Sequence, residues 1–222
     1  MPPEDLSAVV EQEQEVASFS KEGFYVFVKR TMDILISAVA LIVLSPVFLI
    51  VTIIIRATSP GPAIFVQERI GKDGVPFRMY KFRSMVENAE ELLKGELKEK
   101  YEKEFKLHDD PRLTKIGKWL RHTSLDELPQ FLNIFVGDLS LIGPRPILEN
   151  ELQYYGSRAD KLLSAKPGLT GYWQAYARND SGYENDHRQQ MELYYVDHKS
   201  FALDVKIFFK TFSTVVSRRG AN

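Results

Sequence analysis

The sequence predicts a mixed α/β domain with a single core, joined to a membrane-directed helix. Three observations carry this. Residues 34–55, ILISAVALIVLSPVFLIVTIII, run for twenty-two residues without a charge. Two β-type runs, AIFVQERIG and VPFRMYKFRSM, flank a Gly-Lys-Asp-Gly turn and read as a hairpin. Much of the remaining chain follows a helical period, ending in a basic amphipathic segment.

At 222 residues one domain is expected besides the membrane element. The part outside the apolar run, roughly 200 residues, can bury a real core. The net charge of −1 gives no global basic field, which argues against nucleic acid as a partner. Cysteine is absent, so disulfides, thiolate metal sites and cysteine nucleophiles are excluded. There is no internal repeat and no low-complexity tract.

As one straight helix the 34–55 run would be ~33 Å long at about 1.5 Å per residue, enough for a hydrocarbon core of ~30 Å. Soluble helices apolar on every face are rare. A signal peptide would be shorter, nearer the start and followed by a cleavage site. Ser45-Pro46 interrupts the run. Proline removes one amide donor and clashes with the preceding turn, so a kink is expected, and the Ser45 hydroxyl can satisfy a freed carbonyl. Lys29 and Arg30 precede the run and Arg56 follows it. Basic residues favour the cytoplasmic side. A helix that bends and returns to its entry side and a mildly kinked spanning helix fit these residues equally.

In chain order, the acidic residues 1–22 read as a loose tail or short surface helix. Residues 23–33, GFYVFVKRTMD, bring aromatic and basic residues to the boundary. Residues 23–58 make the membrane unit, and Ser59-Pro60-Gly61-Pro62 stops its helix. Within the hairpin, alternation places Lys81 and Arg83 on one face; a merely solvated face is the bland alternative. Residues 86–107 are dense in Glu/Lys pairs and read as an exposed helical insertion with a break near Gly95. Asp109-Asp110-Pro111 suits a turn better than a metal site. Residues 112–121 form a short basic helix delivering Arg121 and His122 to TSLDELPQ. An apolar pattern over 131–136 closes at Gly137. Then come Gly143-Pro144-Arg145-Pro146, a mixed helix near 148–164, a rigid Lys166–Gly171 loop, YWQAYARND with Arg178 as its cation, and a polar helix over 184–197. The catalytic region so defined spans 59–200. In 201–222, Phe201, Val205, Phe208, Phe209, Phe212 and Val216 share one side, as in a helix lying in the headgroup layer. A core-facing helix is the alternative.

The chemistry gathers at Asp126-Glu127. Ser124 and Glu127 match a capping box, but that register puts Pro129 where an amide is needed. A helix starting at Asp126 tolerates Pro129 and places both carboxylates near its positive end, favouring their ionised forms. An ionised aspartate can act as a nucleophile; a plain helix cap is the common use of such a peptide. Arg121, Arg145 and Arg178 stand at helix ends or proline- and glycine-marked loops, and planar guanidinium groups suit phosphate oxygens. Phosphoryl transfer needs such cations, often with Mg²⁺. No P-loop, kinase motif set or GxGxxG occurs.

From Lys29 to Arg219 the chain resembles the monotopic phosphoglycosyl transferases, bacterial sugar transferases that charge polyprenyl phosphate. The resemblance rests on KRTMD, the Ser45-Pro46 break, SPGPAIFVQERIG, YKFRSM, DPRLTKIGKWLRHTSLDELPQ, GDLSLIGPRP and KPGLTG, in the family's order. It implies a compact, mostly helical α/β fold with interfacial amphipathic helices. It also implies a re-entrant helix turning back at Ser45-Pro46, at the cytoplasmic face of the bacterial inner membrane. Asp126 would attack the β-phosphate of a UDP-sugar, expel UMP and form an aspartyl phosphosugar. Polyprenyl phosphate would then accept the sugar phosphate, as the first membrane step of exopolysaccharide, capsule, O-antigen or glycoprotein assembly. Glu127 would hold Mg²⁺ beside Asp126. Arg121, Arg145 and Arg178 would contact phosphates, with Lys81 and Arg83 near the same pocket. Membrane lipids are implied as partners, and a homodimer and downstream glycosyltransferases are compatible with the reading. The 86–107 insertion and YWQAYARND depart from a minimal member, the latter where choice of nucleotide sugar is expected to be set. The chain reads as a catalytic unit without the large N-terminal membrane domain of some relatives. Two rival readings are a non-enzymatic scaffold acting through 86–107 and a phosphatase with an aspartyl intermediate.

Overall fold

The structure, a computed structural model, describes residues 6–92, 94, 98, 110–177, 183 and 185–216. It opens on two helices, α1 (Leu6–Val43) and α2 (Ser45–Thr58). The acidic stretch expected as a tail or separate short helix is, from Leu6, the first turns of α1. Its Glu, Gln, Ala and Lys residues are good helix formers, and no proline follows until Pro46.

The break falls where Ser45-Pro46 predicts it. Glu22–Val43 and Ser45–Thr58 are bent by 59° from a common axis. Pro46 cannot donate to the Ile42 carbonyl four residues back. The Ser45 hydroxyl donates to that carbonyl instead, at 2.8 Å. Among the described residues no single helix is long and apolar enough to cross a membrane, whereas this bent pair is, by length and composition. One face of α2 belongs to the protein: Val51 and Ile55 are buried with Ala63, Phe82 and Leu120. The opposite face leaves Leu49, Ile50 and Ile53 exposed, as α1 does Val39, Ile42 and Val43.

The expected hairpin is present. Strands β1 (Ile64–Ile70) and β2 (Pro76–Phe82) pair antiparallel around a turn at Lys72–Gly74. Phe65 faces Lys81, Gln67 faces Met79 and Arg69 faces Phe77. Paired residues share a face of a sheet, so Gln67, Arg69, Met79 and Lys81 lie on one side. Residues 87–92 then form turns rather than the start of a charged helix. Most of the proposed 86–107 helix lies outside the described residues.

Helix α3 (Lys115–His122) is capped by Thr114, whose hydroxyl accepts from the Gly117 amide at 2.9 Å. A 3-10 turn at Leu125–Glu127 follows, then α4 (Gln130–Val136), closed by left-handed Gly137. Strand β3 (Ser140–Ile142) pairs in parallel with β4 (Gly168–Thr170), so the expected Lys166–Gly171 loop contains a strand. This pairing brings the GPRP and KPGLTG peptides together. A Cβ on Gly168 would meet the Gly143 amide nitrogen, and one on Gly143 the Lys166 carbonyl, each closer than side-chain carbons ever approach backbone.

The mixed helix expected near 148–164 is two 3-10 turns, Glu149–Tyr154 and Gly156–Arg158, and α5 (Ala159–Leu163). Gly156, with positive φ, starts the second turn. Helices α6 (Tyr172–Ala177), α7 (His187–His198) and α8 (Phe201–Val216) complete the chain. In α8, Ile207 and Asp204 face inward while Phe201, Phe208, Phe209 and Phe212 are exposed. The amphipathic pattern is therefore real through Phe212, and the inward stripe is narrow.

Candidate active site

Asp126 sits in the Leu125–Glu127 turn, between α3 and α4. Neither register considered from the sequence forms. Ser124 is left-handed, with φ 56°, and makes no side-chain cap. Pro129 itself caps α4. A compact turn thus carries the two carboxylates, and the helix-end argument for their ionisation does not apply. The opposite effect rules. Asp126 is 7% exposed, and burial, reinforced by the Glu127 charge, pushes its carboxyl up to about 6. Lys81 and Arg121 pull it back. At neutral pH this leaves a mostly ionised carboxylate that is more basic than an ordinary aspartate.

Lys81 reaches the site from β2 and donates to Glu127 Oε1 at 3.1 Å. Arg121 comes from the end of α3, its Nε donating to the Ser84 hydroxyl at 3.0 Å. Arg145 comes from the loop after β3. Its amide donates to Glu192 Oε2 at 3.0 Å, and its guanidinium lies 6.0 Å from the Trp173 ring centroid. Burial acts to lower the Arg145 pKa, but the negative charges of Glu151 and Glu127 help outweigh it and raise it. Among the described residues the Arg145 Nε has no hydrogen-bond partner, nor does Oε1 of Gln174 on α6.

Lys81, Glu127 and Arg145 line one cleft together with Arg69, Gln130 and Gln174. Asp126, next to Glu127 in the chain, is buried and is not among the residues that line the cleft. Arg83 is not brought there. Strand β2 ends at Phe82, and the Arg83 side chain turns under the Ser59–Gly61 bend to donate to the Ser59 carbonyl at 2.8 Å. Arg178 lies outside the described residues. Asp110 pairs with Arg112 through Nε at 2.9 Å and Nη2 at 2.7 Å, which fits the turn role expected of it.

Arg69, Gln130 and Gln174 were not singled out from sequence. For Arg69 a signal existed: the hairpin alternation that exposes Lys81 puts Gln67 and Arg69 on the same face. Gln130 and Gln174 carry no such pattern.

Among the described residues no group of three or more His, Asp or Glu gathers around a metal position. The adjacent carboxylates nevertheless suit Mg²⁺, which commonly takes one or two carboxylates and completes its shell with phosphate oxygens and water. The repulsion that raises Asp126 is what a nearby cation would relieve.

A family model for bacterial sugar transferases matches residues 24–218. The chain is 46% identical over 202 residues to an undecaprenyl-phosphate galactose phosphotransferase of Salmonella typhimurium, covering 88% of this chain and 42% of that protein. It is 43% identical over 199 residues to an exopolysaccharide production protein, ExoY, of Sinorhizobium fredii, covering 87% of each. A UDP-glucose:undecaprenyl-phosphate glucose-1-phosphate transferase of Klebsiella pneumoniae is 37% identical over 197 residues, covering 85% of this chain and 40% of the relative. The chain therefore spans less than half the length of the Salmonella and Klebsiella relatives. The match runs from α1 through the Asp126-Glu127 turn to α8, and the chain belongs to the bacterial sugar transferase family.

Proposed function

We propose that this chain transfers a sugar-1-phosphate from a UDP-sugar to polyprenyl phosphate, releasing UMP. The observation carrying the reading is a buried, basic carboxylate, Asp126, set beside Lys81, Glu127 and Arg121 in a domain that also bears a bent apolar helix pair. The names of the Salmonella and Klebsiella relatives support the acceptor and the reaction class.

In the first step an Asp126 oxygen bonds to the β-phosphorus of the UDP-sugar. The bond from that phosphorus to the bridging oxygen breaks, and its electron pair leaves with UMP. In the second step an oxygen of polyprenyl phosphate bonds to the same phosphorus and Asp126 leaves as carboxylate. The raised pKa makes Asp126 a better nucleophile than an exposed aspartate while keeping it ionised near pH 7. Arg145 and Lys81 offer cations to the phosphate oxygens, with Arg121 beside the carboxylate. Asp126 and Glu127 would hold Mg²⁺, which when bound neutralises charge on the diphosphate.

The bent pair enters one leaflet as a re-entrant hairpin, and α8 lies along the headgroups. Both ends of the chain then face the cytoplasm, where UDP-sugars are found. The site meets its lipid acceptor at the surface, opening glycan assembly such as exopolysaccharide or capsule.

The test is UMP release from a panel of UDP-sugars with a short polyprenyl phosphate. Wild type is expected to turn over at least one sugar, and Asp126→Asn none. Turnover by Asp126→Asn at the wild-type rate removes Asp126 from the chemistry. Free sugar phosphate formed without a lipid acceptor would instead mark a phosphatase.

A further inference from the structure

The cations before the apolar run are both engaged by other parts of the protein. Lys29 is 2.6 Å from Asp204 of α8, which also accepts from Tyr25 at 2.9 Å and Tyr195 at 2.7 Å. Arg30 turns to α4. Its Nη1 donates to the Ile134 carbonyl at 2.7 Å and its Nη2 to the Phe135 carbonyl at 2.8 Å.

These are carbonyls that the end of a helix leaves without partners. The Asn133 carbonyl accepts the amides of Gly137, Asp138 and Leu139. Arg30 supplies the donors for the next two. Gly137 helps make room: a Cβ there would stand 3.2 Å from Arg30 Nη2. One turn further along α1, Asp33 accepts the Leu141 amide of β3 at 2.9 Å.

Helix α4 is also the element that orders the reaction centre. It begins at Gln130, which lines the cleft, directly after the Asp126-Glu127 turn and its Pro129. Its Asn133, fully buried, holds β2: Oδ1 accepts from the Tyr80 amide at 3.0 Å and Nδ2 donates to the Arg78 carbonyl at 2.7 Å. Lys81 is the next residue of that strand. One short helix therefore sets both Lys81 and Glu127, and Arg30 grips its far end from the membrane helix.

We infer that Arg30 is a positioning residue: its forked grip on the end of α4 sets the orientation of the Asp126-Glu127 turn relative to Lys81, beyond any role as a boundary charge. The inference rests on the transferase reading. Lysine keeps the charge but not the planar fork, and glutamine keeps one donor group without the charge. In lipid nanodiscs, with a UDP-sugar that wild type uses, Arg30→Lys is expected to lower kcat for UMP release about tenfold, as small misplacements of reacting groups do. KM for the UDP-sugar should stay within about twofold. Vesicle flotation should be unchanged and the melting temperature within about 2 °C of wild type. Full kcat in Arg30→Lys with loss only in Arg30→Gln would make the residue a simple charge and overturn the inference. A fall in rate that tracks lost flotation, or loss of a cooperative melt, would make it a folding residue and overturn it equally. If wild type releases no UMP from any UDP-sugar, the transferase reading fails first and takes the inference with it.

Discussion

Ile55 and Ile53 stand two residues apart on α2 and face opposite surroundings. Ile55 is 1% exposed, enclosed with Val51, Ala63, Phe82 and Leu120. Ile53 is 58% exposed. Truncating a fully buried isoleucine to alanine removes three carbons and leaves a cavity, costing roughly 2–5 kcal/mol. With about 3 kcal/mol and a shift of roughly 2–4 °C per kcal/mol for a chain this size, Ile55→Ala should lower the melting temperature by about 6–12 °C. Ile53→Ala should leave melting in detergent nearly unchanged. If that face lies in lipid, however, the substitution removes apolar area from the membrane contact. At ~0.8 kcal/mol per buried CH₂, and for a side chain only partly covered, vesicle partition should fall roughly tenfold. Circular-dichroism melts and flotation on vesicles measure the two effects separately. An Ile55→Ala melt within about 2 °C of wild type would refute the core assignment of α2. Equal flotation of Ile53→Ala and wild type would refute the lipid-facing assignment.

Gly168→Ala should be at least as damaging as the Ile55 truncation. Its Cβ would press on the Gly143 backbone, which cannot swing aside, so β3 and β4 must part. A loss of several kcal/mol, read as poor folding or a steep fall in melting temperature, is expected; a wild-type melt would contradict the crossing. Glu192 concerns pH. Burial pushes its carboxyl up to about 7, against the pull of Arg188 and Arg145. A carboxyl raised on folding adds stability in full below its unfolded pKa, and that contribution is lost as pH rises through the folded value. Wild type should therefore lose stability relative to Glu192→Gln between about pH 4.5 and 7. The glutamine oxygen can still accept the Arg145 amide. Melts at both ends of that range check this, and a constant gap between the two proteins would refute it.

The elements most legible in the sequence were those fixed by local chemistry. Pro46 breaks a helix wherever it stands, and Ser45 supplies the donor that proline withholds. The hairpin follows from alternation about a Gly-flanked turn, and α4 ends at Gly137 for want of a Cβ. The Asp126-Glu127 turn of the candidate site has a sequence that marks its residues but not its backbone. The Ser124-to-Glu127 spacing imitates a capping box, yet Ser124 takes the left-handed conformation and its side chain makes no cap. Arg83 continued the alternation of Lys81 on paper, but the strand stops one residue short. The charge state of Asp126 depends on burial by segments far apart in sequence, which no local pattern records. Arg30 read as a boundary charge for the same reason: its partners lie more than a hundred residues away.

Asp33 and Ser37, inside the KRTMD motif and the charge-free run, are enclosed by protein. Only Ala38–Val43 lie between Ser37 and the bend, ~9 Å of helix at about 1.5 Å per residue. In the re-entrant arrangement a pair bent by 59° runs obliquely, so the tip dips through at most about a third of an oil layer ~30 Å deep. Spanning helices are sorted among organelles and strains by how well their length matches bilayer thickness. A keel this shallow has no opposite surface to match, so thickening or thinning the bilayer should leave its seating, and the height of Asp126 above the lipid phosphates, unaltered.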